Sequence, residues 1–111
     1  MNAVLVLLPV AITPPELPAK SMLVPFQTAF DAAVALRASD APAVLVTDGL
    51  DAEDLDTLAA ALRERRGACI EVRLGAWDGE THSPVSGLCR GVISGFGSNG
   101  IKRAADYLAS S

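Results

Sequence analysis

The chain has 111 residues, of which 50% are hydrophobic and 20% are charged, and its net charge at pH 7 is −4. This length and composition predict one folded domain over residues 1–111, because they suffice for one hydrophobic core but not for two. The acidic balance excludes the basic surface that binding to a phosphate backbone requires, so we expect no nucleic-acid partner.

The first third of the chain predicts two strands joined by an extended segment. The apolar run from Ala3 to Leu8 is typical of a buried strand. It is too short to span a bilayer and has no basic residues before it, so we expect no membrane association. Three prolines between Val10 and Lys20 exclude a helix there, since proline lacks the amide hydrogen that a helix needs. Met22 to Phe26 is predicted to be an edge strand because it contains Pro25.

A helix is predicted from Thr28 to Ala38, with Thr28 as its N-cap. Phe30, Val34 and Ala38 fall on one face of this helix, as is typical of a helix packed against a core. Pro42 separates the helix from the next strand.

The middle of the chain predicts a strand and then a long helix. Ala43 to Val46 is apolar throughout, as expected of a strand covered on both faces. In the stretch DGLDAEDLDTLAAALRERRG, acidic residues occupy the first turn, arginines occupy the last turn and Gly67 closes the helix. The apolar residues that recur there at helical spacing are Leu55, Leu58, Ala59 and Leu62.

The last third predicts a strand from Cys69 to Leu74, a strand from Gly91 to Ser94 and a helix from about Asn99 to Ala109. Strands that alternate with helices indicate an α/β fold, in which a parallel sheet is covered on both faces. Ligands of such sheets bind beyond the carboxyl ends of the strands. The residues predicted to lie at those ends are Pro9 to Val10, Thr47 to Asp51, Gly75 to Ser83 and Gly95 to Ser98.

The two cysteines, Cys69 and Cys89, match neither a disulfide framework nor the spacing of metal ligands. We interpret them as core residues of a reduced, cytoplasmic protein and predict no metal site. A thiol nucleophile with His82 as its base is the alternative.

The stretch GFGSNG, Gly95 to Gly100, matches the spacing GxGxxG of dinucleotide-binding loops. It follows the last strand, however, and leaves no room for the next strand and its ribose-binding acid. We therefore predict no cofactor. The glycines are expected to form a tight turn between strand and helix.

The segment from Glu71 to Gly100 resembles the C-terminal part of type II 3-dehydroquinate dehydratase, or dehydroquinase. The resemblance implies a flavodoxin-like three-layer sandwich with a five-stranded parallel sheet of order 2-1-3-4-5. The family's first crossover helix and lid are expected to be lost, because LLPVAITPPELPAK replaces them. The stretches that carry the resemblance are EVRL at Glu71 to Leu74, HSPVS at His82 to Ser86, RGVISGFGSNG at Arg90 to Gly100 and, more weakly, FQT at Phe26 to Thr28 and LVTDGL at Leu45 to Leu50.

The family's catalytic residues are replaced. Its base is a tyrosine on the lid, whereas the only tyrosine of this chain, Tyr107, is in the last helix. The family's Asn-Pro-Gly asparagine falls on Thr47, and a downstream histidine falls on Glu53. The histidine of its Glu-x-His strand falls on Arg73, while Glu71 is retained.

A ligand site is still implied. The amides of Leu74 and Gly75 correspond to those that hold the substrate carboxylate in the family, and Arg73 would add a cation. His82 and Ser83 complete the predicted ligand-binding set.

The remaining candidates each have two interpretations. Glu71 and Arg73 form either a mutually satisfied ion pair or part of a ligand site, and with His82 they are the candidate catalytic residues. Trp77 either stacks on a partner or fills the vacated cleft. Asp48, Asp51, Glu53 and Asp54 are interpreted as capping and first-turn charges rather than as a metal cluster.

The leading functional hypothesis is a non-catalytic dehydroquinase-like protein that acts as a homo-oligomeric assembly or binding module. Its predicted partners are itself, a small carboxylate or a protein. The family forms trimers that build dodecamers, so we expect a trimer or a higher homo-oligomer. One alternative is a lyase or hydrolase acting on a small carboxylate with Glu71, Arg73 and His82. Another is dehydroquinase activity completed by a neighbouring subunit.

Overall fold

Five parallel strands form the sheet at the centre of the fold. They are described here from a computed structural model, which covers residues 3–75 and 84–110. The order of the strands in the sheet is β2-β1-β3-β4-β5, and every adjacent pair is parallel. This confirms the predicted α/β fold and strand order. The strands are β1 (Val4–Pro9), β2 (Ser21–Phe26), β3 (Ala43–Val46), β4 (Cys69–Arg73) and β5 (Gly91–Ser94).

Helices cover both faces of the sheet. They are α1 (Ala29–Ala38), α2 (Ala52–Glu64) and α3 (Asn99–Ser110), and a short 3-10 helix spans Ser86–Leu88. The sheet divides the hydrophobic core into two layers, in which side chains of α1 and α2 pack against the odd-numbered residues of β1 and side chains of α3 pack against the even-numbered ones. Because successive strand residues point to opposite faces, a sheet covered on both faces needs apolar residues throughout its inner strands. Among the described residues, no helix combines the length and apolarity that crossing a bilayer would require.

The connection between β1 and β2 contains no helix, as the prolines predicted. This extended segment, residues 10–20, packs Ile12 and Leu17 against the core on the α3 side. It covers that side of the sheet less completely than a helix would, and Leu23 of the edge strand β2 is 41% exposed.

Helix α1 begins as predicted, with the Thr28 hydroxyl accepting a hydrogen bond from the Asp31 amide at 3.2 Å. The expected core face is wrong, since Phe30 is 68% exposed and Val34 is 51% exposed. A second face of the helix is buried instead, and its small side chains let α1 lie close to both the sheet and α2. The residues of this face are Ala29, Ala32, Ala33 and Leu36.

Helix α2 begins with a reciprocal capping box, in which Asp51 accepts from the Asp54 amide at 2.8 Å. The predicted capping roles of these two residues are thereby confirmed. The expected role of Gly67 is wrong, because the helix ends at Glu64 and Gly67 has no left-handed backbone. Gly67 instead allows a close approach, since a Cβ atom there would lie 2.7 Å from the carbonyl carbon of Asp40.

Candidate functional site

A buried carboxylate lies at the carboxyl end of the sheet. Glu71 is 0% exposed, and both of its carboxylate oxygens accept hydrogen bonds. Oε2 accepts from Thr47 Oγ1 at 2.6 Å and from Arg73 Nε at 3.1 Å, and Oε1 accepts from Ser86 Oγ at 2.5 Å. A buried charge is tolerated only when it is paired and hydrogen-bonded in this way.

The fold brings these four residues together from three segments. Arg73 lies two residues after Glu71 on β4, so both side chains point to the same face of the sheet. Leu45 of β3 is in register with Glu71, which places Thr47, just beyond the end of β3, beside this pair. Ser86 comes from the 3-10 helix that precedes β5. The ion pair expected between Glu71 and Arg73 is therefore present, within a larger cluster.

Because Glu71 is buried and both of its carboxylate oxygens are hydrogen-bonded, its chemistry is restricted. A general base needs a free lone pair within hydrogen-bonding distance of the substrate proton. Glu71 accepts three hydrogen bonds, from Thr47, Arg73 and Ser86, and none of its surface reaches solvent, so a substrate proton cannot come within reach of its carboxylate in this arrangement. The arrangement holds β3, β4 and the 3-10 helix together.

Asp48 binds the end of β4. Its Oδ1 atom accepts a hydrogen bond from the Leu74 amide at 2.7 Å, and its Oδ2 atom accepts one from the Gly75 amide at 3.4 Å. The interpretation of Asp48 as a capping or first-turn charge of α2 is therefore wrong. Its carboxylate lies at the two amides that were predicted to hold a ligand.

The glycine-rich stretch encloses the same strand end from the other side. The Gly95 amide donates to the carbonyl oxygens of Arg73 at 3.2 Å and Gly75 at 3.0 Å, and the Gly97 amide donates to that of Leu74 at 3.0 Å. Gly95 and Gly97 have φ angles of 83° and 55°, which glycine adopts without strain. The predicted tight turn is therefore present, and its amides bind the chain's own backbone.

A cavity of about 250 Å³ opens beside this strand end. It lies at the carboxyl ends of β3 and β4, where parallel sheets hold their ligands. The side chain of Arg73 is 17% exposed, so its surface is divided between the Glu71 cluster and this cavity. The cavity is lined by Thr47, Asp48, Gly49, Leu50, Leu55, Arg73 and Gly75.

Tyr107 lies elsewhere. It is 54% exposed on α3 and lines a separate cavity of about 220 Å³ beside the edge strand β5. None of the residues of the Glu71 cluster lines that second cavity. The chain's only tyrosine therefore does not face the candidate site.

Three of the predicted residues fall outside the described ranges. Trp77, His82 and Ser83 belong to residues 76–83, so their proposed roles stay predictions. The sequence pattern gives no sign of the bond between Ser86 and Glu71, or of the bond between Asp48 and the end of β4. In residues 3–75 and 84–110, no three His, Cys, Asp or Glu side chains are grouped as ligands for a metal ion.

No family model and no curated protein sequence matches the chain. Among solved structures, the type II dehydroquinase from Propionibacterium acnes is similar, with a TM-score of 0.58 and 23% sequence identity. The alignment covers 83% of this chain and 71% of that one. At this identity the likeness concerns the fold. The chain thus has the fold of type II dehydroquinase.

Proposed function

We propose that the protein is a non-catalytic relative of the type II dehydroquinases that binds a small carboxylate at the ends of β3 and β4. We further propose that it works as a homo-oligomer. The observation that carries the first proposal is the state of Glu71. Of the candidate catalytic residues, only this one carries a carboxylate, and that carboxylate is buried and occupied by three donors.

The proposed ligand class follows from the donors around the cavity. Leu74 and Gly75 present consecutive amides that already hold a carboxylate, and Arg73 supplies a cation in the same cavity. Paired amides and a guanidinium favour a planar anion over a neutral ligand. His82 and Ser83, which follow the strand in sequence, are proposed to complete this site.

Self-association is supported by apolar side chains on the surface. Phe30 and Val34 of α1 and Met22 of β2 are 68%, 51% and 49% exposed, respectively. Helix α1 and strand β2 contact each other, and exposed apolar groups on adjacent elements favour an interface. We propose a trimer or a higher assembly, up to a dodecamer. Light scattering coupled to size exclusion will measure the mass, and the double variant F30S/V34S is expected to reduce it, whereas a wild-type monomer would contradict the proposal.

The experiment that tests catalysis and binding uses the purified protein at known oligomeric size. We expect no enone absorbance when 3-dehydroquinate is added. We also expect thermal stabilisation by 3-dehydroquinate and benzoate, but not by benzamide, which matches benzoate in shape and lacks its charge. Product formation would overturn the non-catalytic proposal in favour of a lyase that uses Glu71, Arg73 and His82. Equal responses to benzoate and benzamide would overturn the carboxylate site.

A further inference from the structure

The candidate anion position is occupied by the protein itself. Two consecutive amides, those of Leu74 and Gly75, point at one carboxylate, and each donates to a different oxygen of Asp48. The carbonyl oxygens that share a peptide plane with these amides are those of Arg73 and Leu74, and they accept hydrogen bonds from the Gly95 and Gly97 amides, respectively. The direction of the strand-end amides is therefore fixed by the fold, independently of Asp48.

Asp48 is presented to these amides by a tight turn. The Leu50 amide donates to the Thr47 carbonyl oxygen at 3.3 Å, which closes a four-residue β-turn. Gly49, the third residue of this turn, has a positive φ of 78°, which glycine adopts readily. Asp48 and Gly49 also line the cavity of about 250 Å³. Asp48 thus binds the strand-end amides and also forms part of the wall of the cavity that a ligand would enter.

We infer that the Asp48 carboxylate is an internal occupant of this anion position, and that a small carboxylate must displace it in order to bind. This inference rests on the proposed function and adds that the Asp48 carboxylate competes with the ligand for the two amides. Each amide has one hydrogen, so two carboxylates cannot both be held by the same pair. Two carboxylates brought into contact also repel each other.

Displacement involves the turn as well as the side chain. Asp48 directly follows Thr47, whose hydroxyl donates to Glu71, and it precedes the Asp51 cap of α2 by three residues. A ligand that expels Asp48 therefore acts on the segment that joins the buried cluster to α2.

The test compares wild type with D48A and D48N. D48A removes the occupant, whereas D48N keeps its shape, removes its charge and guards against a folding defect in D48A. D56N removes the same charge from an exposed position on α2 and serves as the control. Hydrogen exchange is followed by mass spectrometry in the peptide that contains Leu74 and Gly75. Benzoate is the probe, benzamide is the neutral control, and calorimetry gives the dissociation constants.

We expect the Leu74 and Gly75 amides to exchange faster in D48A than in wild type or D56N, and benzoate to restore their protection in D48A. We expect D48A to bind benzoate at least about tenfold more tightly than wild type, since it has no charge-assisted contact to break. D48N should lie between the two.

Equal benzoate affinity in wild type, D48A and D48N would overturn the inference while leaving the proposed carboxylate site intact. Benzoate binding by D48A alone would support the inference and overturn the proposed binding function of the wild-type protein. Unchanged exchange of both amides in folded D48A, with no benzoate binding by any variant, would overturn both.

Discussion

The guanidinium of Arg73 lies 3.1 Å from the carboxylate of Glu71, and this pair stands at the border between the core and the cavity. Glu71 is 0% exposed, whereas the Arg73 side chain is 17% exposed. If the pair is broken, water can therefore hydrate the Arg73 guanidinium, but it cannot reach the Glu71 carboxylate.

We expect R73M to lower the free energy of unfolding by about 2–4 kcal/mol, because it removes the cation from a buried carboxylate and leaves the Thr47 and Ser86 hydroxyls as its donors among the described residues. R37M is the matched control. Arg37 also pairs with a glutamate, Glu64, but the two side chains are 42% and 60% exposed, so a loss below about 1 kcal/mol is expected. Urea denaturation measures both. Similar losses in the two variants would show that Glu71 does not depend on Arg73.

The hydroxyl groups that donate to Glu71 lead to a second prediction. T47V keeps the shape of the side chain and removes a buried donor, so we expect it to cost about 1–3 kcal/mol of stability. T57V makes the same change on α2, where the Thr57 hydroxyl bonds the Glu53 carbonyl oxygen near the surface, and should cost below about 0.5 kcal/mol. Indistinguishable denaturation midpoints for the two variants would contradict a structural role of Thr47.

Much of the fold was predictable because a buried strand or helix needs apolar residues at several positions close together in the sequence. The bounds of β3 and β5 agree with the prediction, since each is a short apolar run bounded by Pro, Gly or polar residues. The Asp51 and Asp54 cap was predictable for a similar reason, because both partners lie within one helical turn.

The errors concern choices that depend on neighbours distant in sequence. In α1, Phe30 and Val34 are more apolar than Ala29 and Ala32, but the closeness of α2 selects the smaller residues for the core. The bond between Asp48 and the Leu74 amide joins residues 26 positions apart. The pattern predicted that both lie at the same end of the sheet. It could not predict that the side chain of one meets the amide of the other.

Gly67 gives a prediction about packing. A Cβ atom there would lie 2.7 Å from the carbonyl carbon of Asp40 and 2.9 Å from the Arg65 guanidinium. We expect G67A to destabilise the protein by about 1–3 kcal/mol, because backbone must shift to admit the methyl group. G87A is the control, since nothing lies within 4 Å of its Cβ position. Thermal melts compare the two, and a G67A midpoint as high as that of G87A would refute the close approach.

Arg65 was predicted only as a last-turn cation of α2, yet it is 9% exposed. Its guanidinium donates to the carbonyl oxygens of Leu36 at 3.1 Å and Ser39 at 3.0 Å, and also to those of Ala41 and Gly67. Lysine has one nitrogen and cannot reach all four acceptors.

We therefore expect R65K to cost about 2–3 kcal/mol in urea denaturation, as buried carbonyl oxygens lose their donors. R63K, at an exposed position of the same helix, should change the free energy of unfolding by less than about 0.5 kcal/mol. Equal stability of the two variants would mean that the carbonyl oxygens around Arg65 find other donors.

The stability of the protein should fall at alkaline pH because of Cys69. A hydrogen bond with Cys89 and burial raise the pKa of the Cys69 thiol well above its usual range. The unfolded thiol loses its proton at about pH 8.5, whereas the folded thiol keeps it. The stabilisation is therefore complete below that pH and is lost as the pH rises toward the folded pKa. The free energy of unfolding should decline by up to about 1.4 kcal/mol per pH unit between about pH 8.5 and 10 from this group. Urea denaturation in the presence of a reductant measures the slope. The free energy of unfolding of C69A is expected to decline less steeply over the same range, and the slope for C89A should lie between those of wild type and C69A. Parallel curves for wild type and C69A would show that the Cys69 thiol does not cause the decline.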